Sequence, residues 1–552
     1  MPRIHRFVLL ICLLASSNVL LAQQKVWIFF RDKGPEASEW AQNPGSYLSA
    51  KALDRRASLG ITPNAIDWPV SQTYKSQLQN AGIQLHGSSR WINAVSAVTD
   101  KNLKQLQALC PAVAAIQPVA KFTNSRYEGL LDESNLRTAG TTNFDYGQAQ
   151  FQIEQLNLEC LHLQGKTGRD VLIAVFDAGF LNADTIPAFD SLWLQGRLLT
   201  YYDFVNHDTT IFDENNHGMN VMSTIVANLP GDMVGSAPHA KLALARTENV
   251  GSETNQEEDN WMMAVEWADS LGADLIQSSL GYTQFDSGQV SYTYANLDGN
   301  TTIVTRAADL AASRGILVVN SAGNEGNSPW HHISAPCDAD SILCVGAVDF
   351  FGGSAGFSGV GPSFDGRVKP DVCALGVFTT VIGNGGQVGS SSGTSFSAPL
   401  MAGFAACLRG AHPQRSNMEV IQAIRESASQ FANPDTLLGY GIPDACKADS
   451  ILTVWDSLGV SFAAPIAPVP AINIFPNPAG DVLVLENRKP ENPISKLEIL
   501  TVDGKLAMDF EKGDLGSSER MQLQIKRLAA GTYIIRITLR DGKAQTSRFI
   551  RN

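Results

Sequence analysis

Four polar residues stand where apolar runs begin or end. Ser395 follows Ser390-Ser391-Ser392-Gly393-Thr394 and opens a helical pattern that runs through Leu400, Met401 and Gly403 into Ala406. A serine at a helix N-terminus lies in a positive field that favours a developing oxyanion. It is equally suited to capping the helix, and Pro399 is tolerated in the first turn. His217 lies in Asn215-Asn216-His217-Gly218-Met219-Asn220-Val221. Val221, Met222, Ile225 and Val226 follow at helical spacing, which puts the imidazole on the first turn of a buried helix, and Gly218 lets another backbone approach. Asp177 ends the apolar run Val171 to Phe176 and precedes Ala178-Gly179. A carboxylate there is costly unless paired, and a histidine donor meets that need, although turn aspartates are common. Asn324 follows another apolar run, and its amide can donate to a negative oxygen. Each residue alone has a structural explanation. Together they supply a hydroxyl nucleophile, a base, an acid to orient the base, and an oxyanion donor.

Such a set needs a scaffold that gathers distant loops. From Gly168 to about Leu452 the chain reads as α/β. Continuous apolar runs at Val171–Phe176, Leu242–Ala245, Leu275–Ser278, Ile316–Val319 and Ile342–Val348 suit strands buried on both faces. Helical patterns lie between them, such as Asn260–Leu271 and Thr305–Ser313. That alternation predicts a parallel sheet flanked by helices, with sites gathered at the carboxyl ends of strands. Before it lies a small α+β unit, with strands at Val26–Phe30, Trp91–Val98 and Val113–Pro118. Its helices are expected around Tyr47–Ser58, Val70–Ala81 and Asp100–Leu109. A polar connector, 121–149, separates the two.

The order Asp, His, Asn, Ser with these flanks resembles the subtilase (subtilisin-like) family of serine proteases. Asp177-Ala178-Gly179, His217-Gly218, and Gly393-Thr394-Ser395 with Ala398-Pro399 resemble its three motifs. Gly235-Ser236-Ala237-Pro238 and Gly439-Tyr440-Gly441 resemble further family segments. The resemblance implies a triad of Asp177, His217 and Ser395, with Asn324 in the oxyanion hole. Ser279, Leu280 and Gly281 are the implied substrate-binding strand. The sedolisin variant of this fold carries glutamate in place of histidine, and His217 speaks against it. Three residues depart from the family pattern: Ala178 where Thr or Ser is usual, and Met219 and Asn220 where Thr and His are usual. The resemblance also makes the 25–120 unit a propeptide, a folding helper and intramolecular inhibitor. It makes 146–455 the peptidase domain and allows structural calcium, for which no ligand set is identifiable. No cofactor is expected for catalysis.

The ends suggest export. Arg3, His5 and Arg6 precede an apolar run from Phe7 to Ala15, and Leu20-Leu21-Ala22 offers a cleavage point, so 1–22 reads as a signal peptide. No later segment has the roughly 18 consecutive apolar residues of a membrane span. Residues 461–471 carry Ala464-Pro465, Ala467-Pro468 and Val469-Pro470, a semi-rigid linker. Residues 472–552 alternate as short strands with turns at Asp503-Gly504 and Asp541-Gly542, as in a β-sandwich. Ile472-Asn473-Ile474-Phe475-Pro476-Asn477-Pro478-Ala479 and Gly531-Thr532-Tyr533-Ile534-Ile535 resemble type IX secretion sorting domains. That resemblance implies the type IX machinery as a partner and release or surface attachment. Export implies an oxidising compartment. Of eight cysteines, seven follow the signal, and loss of a propeptide with Cys110 leaves six. Cys337 and Cys344 are the expected bridge, and buried free thiols are the alternative.

The net charge of −13 and 17 % charged residues give no basic footprint for nucleic acid. Two readings follow: a secreted endopeptidase acting on polypeptides, or a catalytically retired surface binding or adhesion protein on the same fold.

Overall fold

The computed structural model describes residues 24–119, 144–459, 472–475, 479, 481–487, 492–501, 505–510, 520–529, 531–540 and 544–551. The expected signal peptide, most of the 121–149 connector, the 461–471 linker and both Asp-Gly turns lie outside the described residues.

The N-terminal unit is a four-stranded antiparallel sheet ordered Gln84–Ser89, Ala94–Thr99, Gln24–Phe30, Val113–Val119. Side chains alternate across a strand, and Gln24–Phe30 is apolar on both faces. Val26, Ile28 and Phe30 pack with Val70, Leu78, Val95 and Leu106, in a core that draws on the helices Gln72–Asn80 and Leu103–Leu109. Trp27 and Phe29 point the other way, into a cluster with Trp261, Val265 and Val304 of the large unit. Polar pins reinforce this contact along the helix Asn255–Leu271. Asp259 accepts from Trp27 Nε1 and Ser96 Oγ, each at 2.6 Å, and pairs with Lys25. Glu266 accepts from Ser89 Oγ and from the N–H groups of Arg90 and Trp91. Asp269 meets Arg55, Arg56 and Arg90. Positions 259, 266 and 269 fall on one face of the helix, because residues three, four and seven apart do.

The large unit is the expected α/β architecture. Seven strands, all parallel, run in the order Val372–Leu375, Leu343–Val348, Leu317–Ser321, Leu275–Ser278, Leu172–Asp177, Lys241–Arg246, Leu198–Asp203. Two clusters of buried side chains cover its faces. One holds Ile173, Val175 and Val319 with the helices His217–Val226 and Thr394–Ala411; the other holds Leu172, Ala174 and Phe176 with Asn255–Leu271 and Ile303–Ala312. The chain first builds outward from Leu172–Asp177 on one side and then crosses to Leu275–Ser278 on the other. This switch point opens a crevice at the carboxyl ends of the two strands.

Two differences from the sequence expectation are informative. The edge strand Leu198–Asp203 is half-exposed and polar at one end, so it lacks the long apolar run that marks its neighbours. The helix over Asn255–Leu271 begins a turn earlier than Asn260, because Thr254 and Glu257 form a capping box ahead of the apolar pattern. Among the described residues two disulfides are present, the expected Cys337–Cys344 and an unforeseen Cys160–Cys446. Cys373 and Cys407 stay buried thiols, so the six cysteines left without Cys110 are not all bridged.

The C-terminal strands form a three-stranded and a four-stranded antiparallel sheet. Leu483, Leu485 and Leu523 of one pack on Leu497, Ile499, Ile535 and Ile537 of the other, as in a sandwich. Among the described residues no helix is long and apolar enough to cross a membrane.

Candidate active site

Asp177 is the last residue of its strand and fully buried. His217 is the first residue of the helix His217–Val226. Gly218 makes their approach possible: a Cβ there would stand 2.7 Å from Asp177 Cβ and 2.5 Å from Gly179 O. His217 Nδ1 and Asp177 Oδ1 are 2.7 Å apart, and Ala178 N–H donates to the same oxygen at 2.7 Å. Burial disfavours a charged imidazole, but the charge and hydrogen bond of Asp177 together outweigh it and raise the His217 pKa. The His217 side chain is 35 % exposed, so its far edge opens to the cleft.

Ser395 is the second residue of Thr394–Ala411 and only 7 % exposed. Its Oγ donates to Ser279 O at 3.4 Å, and no hydrogen bond joins it to His217 in this rotamer. The His217 ring lies 5.8 Å from that of Phe396, the next residue, so the imidazole and the serine share one end of the helix. Asn324 Oδ1 accepts from Thr394 N–H and Oγ–H at 2.9 and 3.0 Å. These bonds hold the asparagine against the serine loop. Ser279 Oγ donates to Ser395 O at 2.8 Å. Leu280 O is taken by Asn320 Nδ2 at 3.0 Å. Ser279, Leu280 and Gly281 directly follow the strand Leu275–Ser278 at its carboxyl end.

The structure therefore brings all seven sequence-derived residues to one crevice. The departures at 219 and 220 are absorbed by packing. Met219 is fully buried. Asn220 Nδ2 donates to Ile382 O, and Ser223 Oγ accepts Ile382 N–H, which ties the histidine helix to the strand Thr379–Ile382. The departure at 178 has a different consequence, because Asp177 Oδ2 is buried without a hydrogen-bond partner. Sequence reasoning missed Glu248, Glu253, Asp286, Glu325 and Ser334 around the cleft. Only Glu325, directly after Asn324, carried a signal. The others come from loops with no motif. Among the described residues, no group of three or more His, Cys, Asp or Glu is placed to hold a metal ion.

Three segments of the chain match known protein families. Residues 168–441 match the subtilase family, residues 25–130 the peptidase S8 propeptide domain of Bacteroidota, and residues 473–552 a secretion system C-terminal sorting domain. Subtilisin NAT of Bacillus subtilis subsp. natto is 29 % identical over 364 residues, covering 65 % of this chain and 81 % of that protein. Subtilisin of Bacillus pumilus is 31 % identical over 287 residues, 51 % of this chain and 92 % of that protein. The thermophilic serine proteinase of Bacillus sp. (strain AK1) is 32 % identical over 281 residues, 50 % of this chain and 61 % of that protein. The sorting domain implies export, with release or attachment at the cell surface. With a propeptide ahead of its catalytic unit, the chain belongs to the subtilase family of serine-type endopeptidases.

Proposed function

We propose that this chain cleaves polypeptides through an acyl-enzyme on Ser395, with His217 as general base and acid and Asp177 as its orienting partner. The observation that carries the reading is the 2.7 Å contact between His217 Nδ1 and the buried Asp177 carboxylate, at the crevice that also holds Ser395. A rotation about χ1 frees the Ser395 hydroxyl from Ser279 O and turns it to His217 Nε2; such contacts often tighten only when substrate binds. Ser395 Oγ then attacks the peptide carbonyl as its proton passes to His217. The tetrahedral oxyanion is met by Asn324 Nδ2 and the Ser395 N–H. The C–N bond breaks, His217 hands its proton to the leaving amine, and water hydrolyses the ester by the same route in reverse. Asp177 fixes the tautomer and stabilises the imidazolium without taking the proton.

Ser279, Leu280 and Gly281 bind the substrate as an added strand. The N-terminal unit acts as an intramolecular inhibitor before it is cut away, and the type IX machinery recognises the C-terminal unit. The alternative, a retired binding protein, is separated by a fluorophosphonate probe. Processed protein should label at Ser395 and hydrolyse an unstructured protein substrate, whereas Ser395→Ala should do neither. Processed wild-type protein that takes no label, beside a control protease that does, rejects the enzymatic reading.

A further inference from the structure

The strand Val482–Asn487 opens with an unbroken apolar run, Val482-Leu483-Val484-Leu485. A sandwich strand with one face in water alternates apolar and polar residues, so this run calls for cover on both faces. Leu483 and Leu485 belong to the core between the two C-terminal sheets. Val484 lies on the opposite face, yet it is only 1 % exposed. It joins the cluster that holds Trp27, Phe29 and Ala115 of the N-terminal unit, and Val482 packs against the same cluster. The strand Val482–Asn487 lies against Val113–Val119, an edge strand of the N-terminal sheet.

A polar contact at the same place is independent of that burial. The pairing of Val113–Val119 with Gln24–Phe30 slips between Phe29 and Phe30. Phe29 stands opposite Ala115 and Phe30 opposite Val113, which leaves Ala114 opposite no residue. A bulge residue of this kind is left out of the ladder. Ala114 is nonetheless 1 % exposed, and its carbonyl accepts from Gln522 Nε2 at 3.1 Å. Gln522 is directly opposite Val484 in the C-terminal sheet, so the two side chains share one face. That face therefore meets the N-terminal unit with an apolar contact and a hydrogen bond side by side.

We propose that the N-terminal unit docks the C-terminal unit in the precursor, and that its removal sets the sorting domain free. The release half rests on the reading above that the N-terminal unit is cut away. The docking face is Val482, Val484 and Gln522, and its counterpart is the edge strand Val113–Val119. The contact also closes a sheet edge that would otherwise stand open to pairing with another chain. Once the N-terminal unit leaves, the two valines lose its cover and Gln522 loses its acceptor. The sorting domain is then joined to the peptidase through residues 460–471. One cut thus changes the sorting domain as well as the catalytic crevice.

The test reads thiol reactivity in a Ser395→Ala precursor, so it does not depend on the chain's own catalysis. Val484→Cys is the reporter and Val482→Cys a second one. Lys496→Cys is the reference, because that side chain is 61 % exposed on the other C-terminal sheet. The free thiols of Cys110, Cys373 and Cys407 are buried. In the intact precursor a polar maleimide should modify Val484→Cys at least about tenfold more slowly than Lys496→Cys, as expected of a site that reacts only after local opening. Adding Gln522→Ala should speed it about fivefold, the change in an equilibrium from losing one ordinary hydrogen bond. A recognition sequence for a specific protease, placed within 121–143, then allows the N-terminal unit to be cut off and separated by size. Protection should follow that fragment, kept in fractions that carry it and lost in fractions that do not. Equal reactivity of Val484→Cys and Lys496→Cys in the intact precursor, with Val482→Cys agreeing, overturns the docking. Protection that persists after the fragment has gone assigns the cover to the peptidase unit and overturns the release. A protein that docks and releases as stated but takes no fluorophosphonate probe once processed with Ser395 restored would sink the proteolytic reading alone.

Discussion

Asp177 gives one carboxylate oxygen to His217 Nδ1 at 2.7 Å and keeps the other buried with no partner. Ala178, directly after it, offers its N–H to the same occupied oxygen and has no side-chain donor for the free one. A buried acceptor left in this state costs about 1–3 kcal/mol. The carboxylate charge is thus shared with few donors, and it acts on the imidazole with little attenuation.

Ala178→Ser should supply the missing donor. The His217 pKa is raised, and the imidazole must be neutral to accept the serine proton. Activity is therefore lost as pH falls through that raised value, and the acid limb of kcat/KM lies above the ordinary imidazole range. A hydroxyl on Oδ2 weakens the pull on the imidazolium and moves this limb to lower pH, while stability rises by about 1 kcal/mol. A limb that stays in place or climbs contradicts the account.

Asn324 is aimed by Thr394, whose N–H and hydroxyl both hold its Oδ1. Asn324→Ala should reduce kcat by about 10²–10³ with little change in KM, because the donor matters most once negative charge develops. Thr394→Val keeps the backbone bond but loses the hydroxyl bond, so it should give a smaller loss of the same kind. A KM effect larger than the kcat effect in Asn324→Ala would assign the residue to ground-state binding instead.

The site was largely legible because its parts announce themselves locally. Asp177 follows an unbroken apolar run, His217 precedes a helical pattern, and Ser395 opens another, so burial and exposure change sharply at each residue. Those same runs predicted five of the seven central strands. Leu198–Asp203 escaped because an edge strand needs only one apolar face. Val372–Leu375 escaped although it is as short and as buried as Leu275–Ser278, because no helix lies between it and Leu343–Val348 to mark a strand-helix-strand unit. The Cys160–Cys446 bridge was illegible for a different reason: its partners are 286 residues apart, and only the folded chain places the helices Glu159–Leu163 and Ala445–Leu458 together. Ser334 and Glu253 belong to the same class, since nothing local distinguishes them from other loop residues.

Asp269 is the anchor between the N-terminal unit and the peptidase unit. It is fully buried and receives three guanidinium groups, from Arg55, Arg56 and Arg90. Removing one side of a buried charge network leaves the rest uncompensated, at a cost of about 3–5 kcal/mol. In a precursor kept intact by Ser395→Ala, Asp269→Ala should lower thermal stability by that order and expose the N-terminal unit to added protease. Lys51→Ala is the control, because its pair with Asp274 lies at the rim, where Lys51 is 37 % exposed, and should be worth about 1 kcal/mol or less. Equal effects from the two substitutions would show that the buried network does not hold the units together.

Cys160–Cys446 should matter to stability through the unfolded chain. A link across 286 residues limits the open chain far more than the one across seven residues at Cys337–Cys344. The chain-entropy estimate gives about 6 kcal/mol for the first and about 2 kcal/mol for the second, with measured values commonly lower. Cys160→Ser with Cys446→Ser should therefore lower the unfolding midpoint strongly while leaving the specific activity of folded enzyme intact, since neither residue borders the crevice. The remaining cysteines provide the internal check. Burial pushes the thiols of Cys373 and Cys407 well above their ordinary pKa, so an alkylating reagent should leave both untouched in native protein. Denaturation without reductant should expose them, together with Cys110 where the N-terminal unit is still attached. Alkylation of Cys160 or Cys446 under those conditions would show that the long-range bridge had not formed, and the stability argument would lose its basis.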